Sequence, residues 1–254
     1  MPETISRDVL MDYLGSLLPD ESPDYCPNGL QVEGRSEIRR IITAVSSCHE
    51  LFAIAREKNA DAILVHHGIF WNGMSSRLTG MQFRRVRELI LGEINLIGYH
   101  LPLDSHPEIG NNALGVEAFG LVDTRPFALH KGVPIGFCGR FPEPIAADEL
   151  VRRCAEIYGQ DPLVFPFGPD PVGSLGIVSG GAQSEVYAAI DDGLDAYITG
   201  EVSEWVMNVA KECGIHYLAA GHYATERLGI RRLGEHLAER FDLEVEFVDL
   251  PNPV

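Results

Sequence analysis

The chain has 254 residues, 45% of them hydrophobic, and a formal net charge of −17 at pH 7. This length and composition suffice for one large domain or two smaller ones with substantial cores. An acidic surface of this kind repels nucleic-acid phosphates at long range, so nucleic acid is not an expected partner.

The first half of the chain is predicted to alternate helices and strands. Ser6 opens an amphipathic helix that reaches about Leu18, which is a folded element and not a signal peptide. A loop rich in proline and aspartate follows at 19–28. The next predicted elements are a strand at 38–45, a helix at 48–58, a strand at 62–65, a helix at 82–91, a strand at 95–99 and a helix at 111–119. Such alternation indicates an α/β fold.

Predicted strands become more frequent from about residue 132. Strands are expected at 135–141, 163–165, 175–178, 196–198, 215–220 and 244–247. Helices are expected at 146–158, 184–192, 204–213 and, just after Gly221, from 222 to about 240. The glycine- and proline-rich stretch 167–176 predicts a loop.

The cysteines and the apolar runs indicate the cellular compartment of the protein. There are five cysteines, an odd number, and no two form a C-x-x-C pair. This argues against a disulfide scaffold or a thiolate zinc site and fits a reducing cytoplasm. No apolar stretch approaches the length of a membrane span. We therefore expect a cytoplasmic protein that does not enter a membrane.

A basic cluster of Arg84, Arg85 and Arg87, with Arg77 nearby, stands out in this acidic chain. A short run of charges is typical of a solvated helix face. The alternative is an anion site for a phosphorylated substrate, which the planar guanidinium suits geometrically.

Two adjacent histidines, His66 and His67, end the apolar run 62–65 and precede Gly68. The run predicts a short buried strand. Neighbouring side chains in a strand point to opposite faces, but the chain can twist at a strand end, and Gly68 permits unusual backbone angles. Both imidazoles would then reach the crevice beyond the strand, where open α/β sheets bind ligands. The alternative is one core histidine and one surface histidine.

Two further segments carry ligand-type side chains. His222 and Glu226 stand four residues apart after Gly221, where a predicted strand passes into a helix, and on a helix they share one face. Asp104 follows Pro102 beyond another predicted strand. A solvated helix face and a turn-forming aspartate are the alternatives. Together with the histidine pair, these side chains predict a divalent-metal site large enough for two ions.

Several ordered blocks resemble one protein family, the GTP cyclohydrolase 1 type 2 homologues, or Nif-three-like dinuclear metal centre proteins. The resemblance extends from the first predicted helix to the last strand. The blocks that carry it are Tyr25–Gly34, Val65–Gly68, His100–Asp104, Gly180–Gln183, Thr199–Glu204 and His222–Glu226.

The resemblance implies a fold of two related, interleaved α/β lobes with a dinuclear metal site in the cleft between them. One lobe would contain residues 1–127 and 220–254, the other residues 128–219, with no inserted third domain. It also implies a closed homohexameric ring.

Carried over residue by residue, the implied metal ligands are His66, His67, Asp104, His222 and Glu226, and Glu226 is the choice for a carboxylate that bridges the ions. The resemblance implies two divalent ions per chain, and such mixed nitrogen and oxygen ligands suit zinc, iron or manganese.

The implied function is metal-dependent hydrolysis of a small anionic substrate, with ring opening of GTP as the first candidate. His100 and Glu201 are candidates to move protons or orient the substrate, or else to support neighbouring residues through hydrogen bonds. The alternatives are a phosphoesterase or amidohydrolase acting on another small substrate, and a non-enzymatic metal-binding ring that serves as a scaffold or regulator.

Overall fold

The computed structural model describes residues 3–20 and 24–254, so residues 21–23 of the predicted loop 19–28 lie outside the described residues. The strands are β1 (Ile5–Ser6), β2 (Gly29–Val32), β3 (Glu37–Ile38), β4 (Arg40–Ser46), β5 (Ala62–His67), β6 (Asn95–Gly98), β7 (Val122–His130), β8 (Val133–Ile145), β9 (Leu163–Pro166), β10 (Val172–Ile177), β11 (Ala196–Thr199), β12 (His216–Ala219) and β13 (Glu244–Phe247). The helices are α1 (Arg7–Leu17), α2 (His49–Glu57), α3 (Gly80–Leu91), α4 (Leu101–Asp104), α5 (Asn111–Ala118), α6 (Ala147–Tyr158), α7 (Val186–Asp191), α8 (Val206–Cys213), α9 (His222–Thr225) and α10 (Arg227–Phe241). The α/β class is confirmed.

Two compact units divide the chain. The first contains the chain up to Leu103 together with Ile230–Leu250, and the second contains Asp104–Gly229 and Pro251–Val254. The two predicted lobes were divided at 127/128 and 219/220, which differ from these limits. The two lobes stay a prediction.

The first unit is built on a five-stranded sheet in the order β13-β4-β5-β6-β2. The four strands from β13 to β6 are parallel, and β2 pairs antiparallel with β6 at the edge. The two central strands, β4 and β5, are almost wholly buried, which fits their runs of apolar and β-branched residues. Because β4, β5 and β6 are parallel, their carboxyl ends meet at one edge of the sheet.

The second unit contains a six-stranded sheet in the order β7-β8-β10-β11-β12-β9. Only β10, β11 and β12 are mutually parallel, and antiparallel strands flank them on both sides. A buried cluster that includes Phe119, Tyr158 and Leu218 forms its core. The segments after the three parallel strands begin at Val178, Gly200 and Ala220, so glycine-rich loops lie at the carboxyl edge of this sheet.

Two predicted elements need correction, and two strands were missed. The stretch 167–176 is not wholly a loop, because β10 begins at Val172. The helix predicted from 222 to about 240 is broken, because α9 ends at Thr225 and Glu226 takes a non-helical backbone with φ −104°. Strands β2 and β7 were not predicted at all.

The remaining global predictions concern membranes, disulfides and the arginine cluster. Across residues 3–20 and 24–254, no helix has both the length and the apolar character that a bilayer crossing requires. No disulfide joins the five cysteines, all of which lie in those ranges. Arg84 and Arg87 are exposed on α3, which favours the solvated-face interpretation of the cluster.

Candidate metal centre

The histidine pair ends β5. The strand runs to His67, two residues beyond its predicted end at Val65. His66 is fully buried, whereas His67 is half-buried. Their ring centroids nevertheless lie only 4.7 Å apart. The end of the strand therefore brings both imidazoles to one place, as the sequence predicted.

Hydrogen bonds within the first unit orient these two rings. His66 Nδ1 lies 3.0 Å from the backbone oxygen of Tyr99, which follows the neighbouring strand β6. A carbonyl oxygen can only accept, so Nδ1 carries the proton and Nε2 carries the lone pair. His67 Nδ1 lies 2.9 Å from the hydroxyl oxygen of Ser46 at the end of β4. Neighbouring strand ends thus set the orientation of both rings.

His100 joins this pair. Its ring centroid lies 5.0 Å from that of His66 and 5.5 Å from that of His67. Each of the three histidines offers a ring nitrogen within 4.8 Å of the others. Three imidazoles at this spacing are a donor set that a divalent metal ion accepts.

Asp24 holds His100 in place. Its Oδ1 accepts a hydrogen bond of 2.6 Å from His100 Nδ1, and its Oδ2 accepts from the backbone of Leu101 at 3.0 Å. Burial raises the pKa of Asp24, but the hydrogen bond and charge of His100, with help from Asn28, lower it to about 2. The carboxylate is therefore ionised and directs His100 Nε2 away from itself.

The second unit holds Asp104 in a buried network. Asp104 Oδ1 accepts hydrogen bonds from Asn111 Nδ2 at 2.8 Å and from Ser179 Oγ at 2.9 Å. Asn112 Nδ2 bonds the Asp104 backbone oxygen at 3.3 Å, and Asn112 Oδ1 accepts from Ser179 N at 2.7 Å. Asp104 is thus a buried carboxylate whose position is set by α5 and by the loop after β10.

His222 and Glu226 meet, although no continuous helix carries them. Glu226 Oε1 lies 3.2 Å from His222 Nε2, and His222 Nδ1 donates to Glu201 Oε1 at 2.6 Å. Glu226 is 2% exposed and offers an oxygen within 4.8 Å of one from Asp104. Asp104, His222 and Glu226 therefore form a second group of predicted ligands within this unit.

The charges around His222 control its protonation. Burial lowers the pKa of His222, but the hydrogen bonds and charges of Glu226 and Glu201 outweigh burial and raise the pKa to about 9. A cation at Nε2 would have to displace that proton, which couples metal affinity to pH.

Glycine lets the backbone approach these side chains. Gly180 has φ +67°, and a Cβ placed on it would lie 2.3 Å from Glu226 Oε1 and 3.2 Å from His222 Nε2. A Cβ on Gly200 would lie 2.5 Å from the His222 Cα. Gly180 and Gly200 are therefore required by close packing against Glu226 and His222.

An aromatic wall of Trp71 and Tyr25 borders the histidines of the first unit. The Trp71 ring lies 5.5 Å from the ring of His67 and 5.2 Å from that of His100, and Tyr25 lies 6.2 Å from His100. The Trp71 indole donates to Gly68 O, and Asn72 N donates to Tyr25 O at 2.8 Å. Tyr25 is 47% exposed, so the wall faces solvent beside the imidazoles.

Sequence reasoning missed the supporting residues. These are Ser46, Asp24, Asn111, Asn112 and Ser179. Only the adjacent asparagines that open α5 were a visible signal, because each side-chain amide carries two N–H donors that a carboxylate can accept. Glu201 was predicted to act on substrate or to support a neighbour, and its hydrogen bond to His222 fits the second of these.

The donor chemistry of each unit fits a divalent cation. Buried imidazoles with fixed rings and buried carboxylates are the ligands that zinc, iron and manganese accept. The described residues therefore contain groups able to bind a metal ion.

Comparison with known proteins identifies the family. The family model for Duf34/NIF3 (NGG1p interacting factor 3) matches residues 5–253. The chain belongs to the Duf34/NIF3 family. A relative from Pasteurella multocida, named GTP cyclohydrolase 1 type 2 homolog, is 47% identical over 232 residues, which cover 91% of this chain and 92% of the relative.

Solved structures of this family have the same fold. The protein ybgI, described as of unknown function, has a TM-score of 0.93 and 40% identity, with 98% of this chain and 100% of that chain covered. A protein from Thermus thermophilus has a TM-score of 0.89 and 37% identity, with 98% and 100% covered. The Duf34/NIF3 fold is therefore shared along nearly the whole chain, while the names of these relatives establish no activity.

Proposed function

We propose that this protein is a metal-dependent hydrolase of a small anionic substrate, with GTP as the first candidate. His66, His67, Asp104, His222 and Glu226 would hold two divalent ions. The name carried by the Pasteurella relative supports a purine nucleotide as substrate. The closed ring of six chains stays a prediction.

The state of the imidazoles is the observation that carries this proposal. Two of the proposed ligands, His66 and His222, place Nδ1 against an oxygen that only accepts, namely the carbonyl of Tyr99 and the carboxylate of Glu201. Metal-ligating histidines commonly donate their second ring N–H to a carboxylate or carbonyl, which fixes the tautomer and raises ligand basicity. The same arrangement at both histidines supports a role as metal ligands.

Divalent ions, when bound, would supply Lewis acidity that lowers the pKa of a coordinated water towards neutrality. The residues of the chain do the rest. Asp24 holds His100 so that its Nε2 can accept or return a proton beside the histidine pair. Glu201 holds His222, and Asn111 with Ser179 holds Asp104, so the ligand side chains need no rearrangement when a cation arrives.

The aromatic wall would hold the flat ring of a nucleotide. Bases stack on aromatic side chains, and each stack is worth about 1–3 kcal/mol. The chain has two tryptophans, so fluorescence can report on each separately. Trp205 is the matched control, because it stacks on Tyr187 in the second unit with rings 5.5 Å apart.

Addition of GTP should quench the fluorescence of Trp71. The quench should persist in Trp205→Phe and disappear in Trp71→Phe, whose remaining tryptophan is Trp205. Trp71→Ala should weaken GTP binding roughly tenfold, as expected for the loss of one stack. A quench that instead disappears in Trp205→Phe would contradict the assignment of the wall.

Metal affinity should rise with pH. His222 has a pKa near 9 without a cation and must lose its proton before Nε2 can bind one. Between pH 7 and about 8.5, Mn²⁺ affinity should therefore rise about tenfold per pH unit for each proton released. Calorimetry in buffers of different ionisation enthalpy measures that release directly. In Glu201→Gln the rise should end at a lower pH, whereas an affinity independent of pH would contradict this account of His222.

Turnover of GTP by three preparations tests the proposed function. Wild-type protein with restored metal should convert GTP, and both His67→Ala and chelator-stripped protein should not. Equal slow turnover by all three would indicate a contaminant and would favour the metal-binding scaffold. Turnover of a phosphoester or an amide in place of GTP would support a hydrolase whose substrate is not GTP.

A further inference from the structure

A second concave surface lies in the six-stranded sheet, formed by residues that the proposed hydrolase does not use. It is a cavity of about 570 Å³ between the β7–β8 hairpin, the start of β10 and the turn before β11. Its volume falls in the range of small-molecule sites. None of the five proposed metal ligands lines it.

A β-bulge shapes this cavity. The pairing of β7 with β8 shifts register between Val122 and Arg125. Asp123 lies in the bulge with φ +50°, a left-handed backbone. A Cβ on Gly139 of the facing strand would lie 2.9 Å from the Val122 oxygen. Bulges of this kind redirect side chains and are frequent beside functional sites.

Most charges of the cavity are already matched within the protein. Arg125 Nη2 lies 3.0 Å from Asp192 Oδ2. Asp195 Oδ2 accepts hydrogen bonds from Gly173 N, Ser174 N and Ser174 Oγ at 2.8, 2.9 and 3.1 Å. These two carboxylates therefore have structural partners.

Two opposite charges remain. The side chains of Arg140 and Asp123 take part in no hydrogen bond or ion pair found in residues 3–20 and 24–254. They are near neighbours across the β7–β8 ladder, since Val122 is the Cα partner of Arg140, yet they do not pair with each other. Two exposed residues that line a shared cavity, Arg140 and Asp123, thus carry opposite charges without partners in the described residues.

A metal ion does not explain this arrangement. The cavity carboxylates Asp123, Asp192 and Asp195 belong to none of the metal-type clusters found in the described part of the chain. A simple anion does not explain it either, because three carboxylates and only two guanidiniums line the cavity. The complement of one free guanidinium and one free carboxylate is a ligand that carries both an oxyanion and an ammonium group.

We propose that this cavity binds a small zwitterion of the amino-acid and short-peptide class, with its carboxylate on Arg140 and its ammonium group on Asp123. Guanidinium binds carboxylate through two parallel hydrogen bonds, which gives the site direction as well as affinity. Arg125 also lines the cavity, and four of its N–H groups are not engaged by Asp192. The site is separate from the metal ligands, so its occupancy needs neither metal nor nucleotide.

Titration calorimetry with three matched probes tests this inference on the full-length protein. The probes are alanyl-alanine, its N-acetyl form, which lacks the ammonium group, and its C-terminal amide, which lacks the carboxylate. The unblocked dipeptide should bind one site per chain at least about tenfold more tightly than either blocked form. Metal-loaded and metal-stripped protein should give the same affinity.

Two variants assign the ends of the ligand. Arg140→Gln should abolish the preference for the dipeptide over its amide and keep the preference over the acetyl form. Asp123→Asn should do the reverse, and asparagine tolerates the left-handed backbone at this position. Arg152→Gln, on α6 and bonded to Glu149, should change neither preference.

The relative affinities of the three probes, compared within each variant, decide the result, so a change in protein stability does not affect it. Equal binding of all three probes, absence of binding, or unchanged preferences in both variants would overturn the inference. Tight binding of the acetyl form alone would show an anion site, which also overturns it.

Discussion

Gly180→Ala should strip metal from the protein while the two units stay folded. The new methyl group would lie 2.3 Å from Glu226 Oε1, closer than a real Cβ approaches another atom, and 3.3 Å from Glu226 Cδ, which is a tight contact. Glu226 is buried and cannot swing into solvent, so the carboxylate or the backbone must shift. We expect metal content, measured by elemental analysis, to fall well below that of wild type, with metal affinity reduced at least about tenfold.

Gly193→Ala is the matched control for backbone strain. Gly193 has φ +66°, almost the value at Gly180, but a Cβ there meets nothing within 4 Å. Both variants place alanine in a left-handed backbone conformation, which costs roughly 1–2 kcal/mol. Only Gly180→Ala crowds the ligand side chains, so the difference in metal content between the variants isolates that contact. Similar metal content in both would refute the role of Gly180.

The histidine pair shows what the sequence could predict. An apolar β-branched run that ends in two histidines and a glycine specifies both a buried strand and polar side chains at its end. The structure places the two rings together for that reason. The apolar, β-branched character that favours burial on both faces lies in the run itself, so this prediction needed no knowledge of distant parts of the chain.

The break before α10 shows what the sequence could not predict. Neither glycine nor proline stands at Glu226, and the apolar spacing continues through it, so periodicity predicts one helix. The break comes from tertiary contacts. Thr225 Oγ1 bonds the Gly221 oxygen and accepts from Gly180 N, and Gly229 N donates to Asn111 Oδ1 at 2.7 Å. Gly180 and Asn111 are remote in sequence from Thr225 and Gly229, so no local pattern predicts these two contacts.

Strand β7 and the first half of β10 were not predicted, because their side chains lack the apolar pattern of a buried strand. Five of the nine residues of β7 are exposed in succession, so the apolar alternation of a half-buried strand is missing. β10 has two glycines among its six residues. Its place in the sheet is set by backbone pairing with β8 and β11, which sequence composition does not record.

Glu226→Gln should abolish tight metal binding and GTP turnover together. The side chain is 3% exposed and contacts His222 Nε2, and the amide keeps its volume while removing its charge. A neutral amide is a poor ligand for zinc, iron or manganese compared with a carboxylate. The loss should exceed the roughly 10–100-fold in affinity that follows removal of a supporting residue such as Glu201. Elemental analysis and nucleotide turnover measure the two effects separately.

The pH dependence of that loss distinguishes a ligand from a structural carboxylate. Glu226 also raises the pKa of His222. In the variant His222 therefore has a lower pKa and loses its proton more easily at pH 7. This gain offsets part of the lost affinity at pH 7, and it vanishes near pH 9, where wild-type His222 also loses its proton. The defect in Mn²⁺ binding should therefore be larger at pH 9 than at pH 7. Glu235→Gln, with a half-exposed side chain on α10, should behave as wild type at both values. If Glu226→Gln retains wild-type metal content while losing thermal stability, Glu226 is a structural carboxylate and the dinuclear proposal fails.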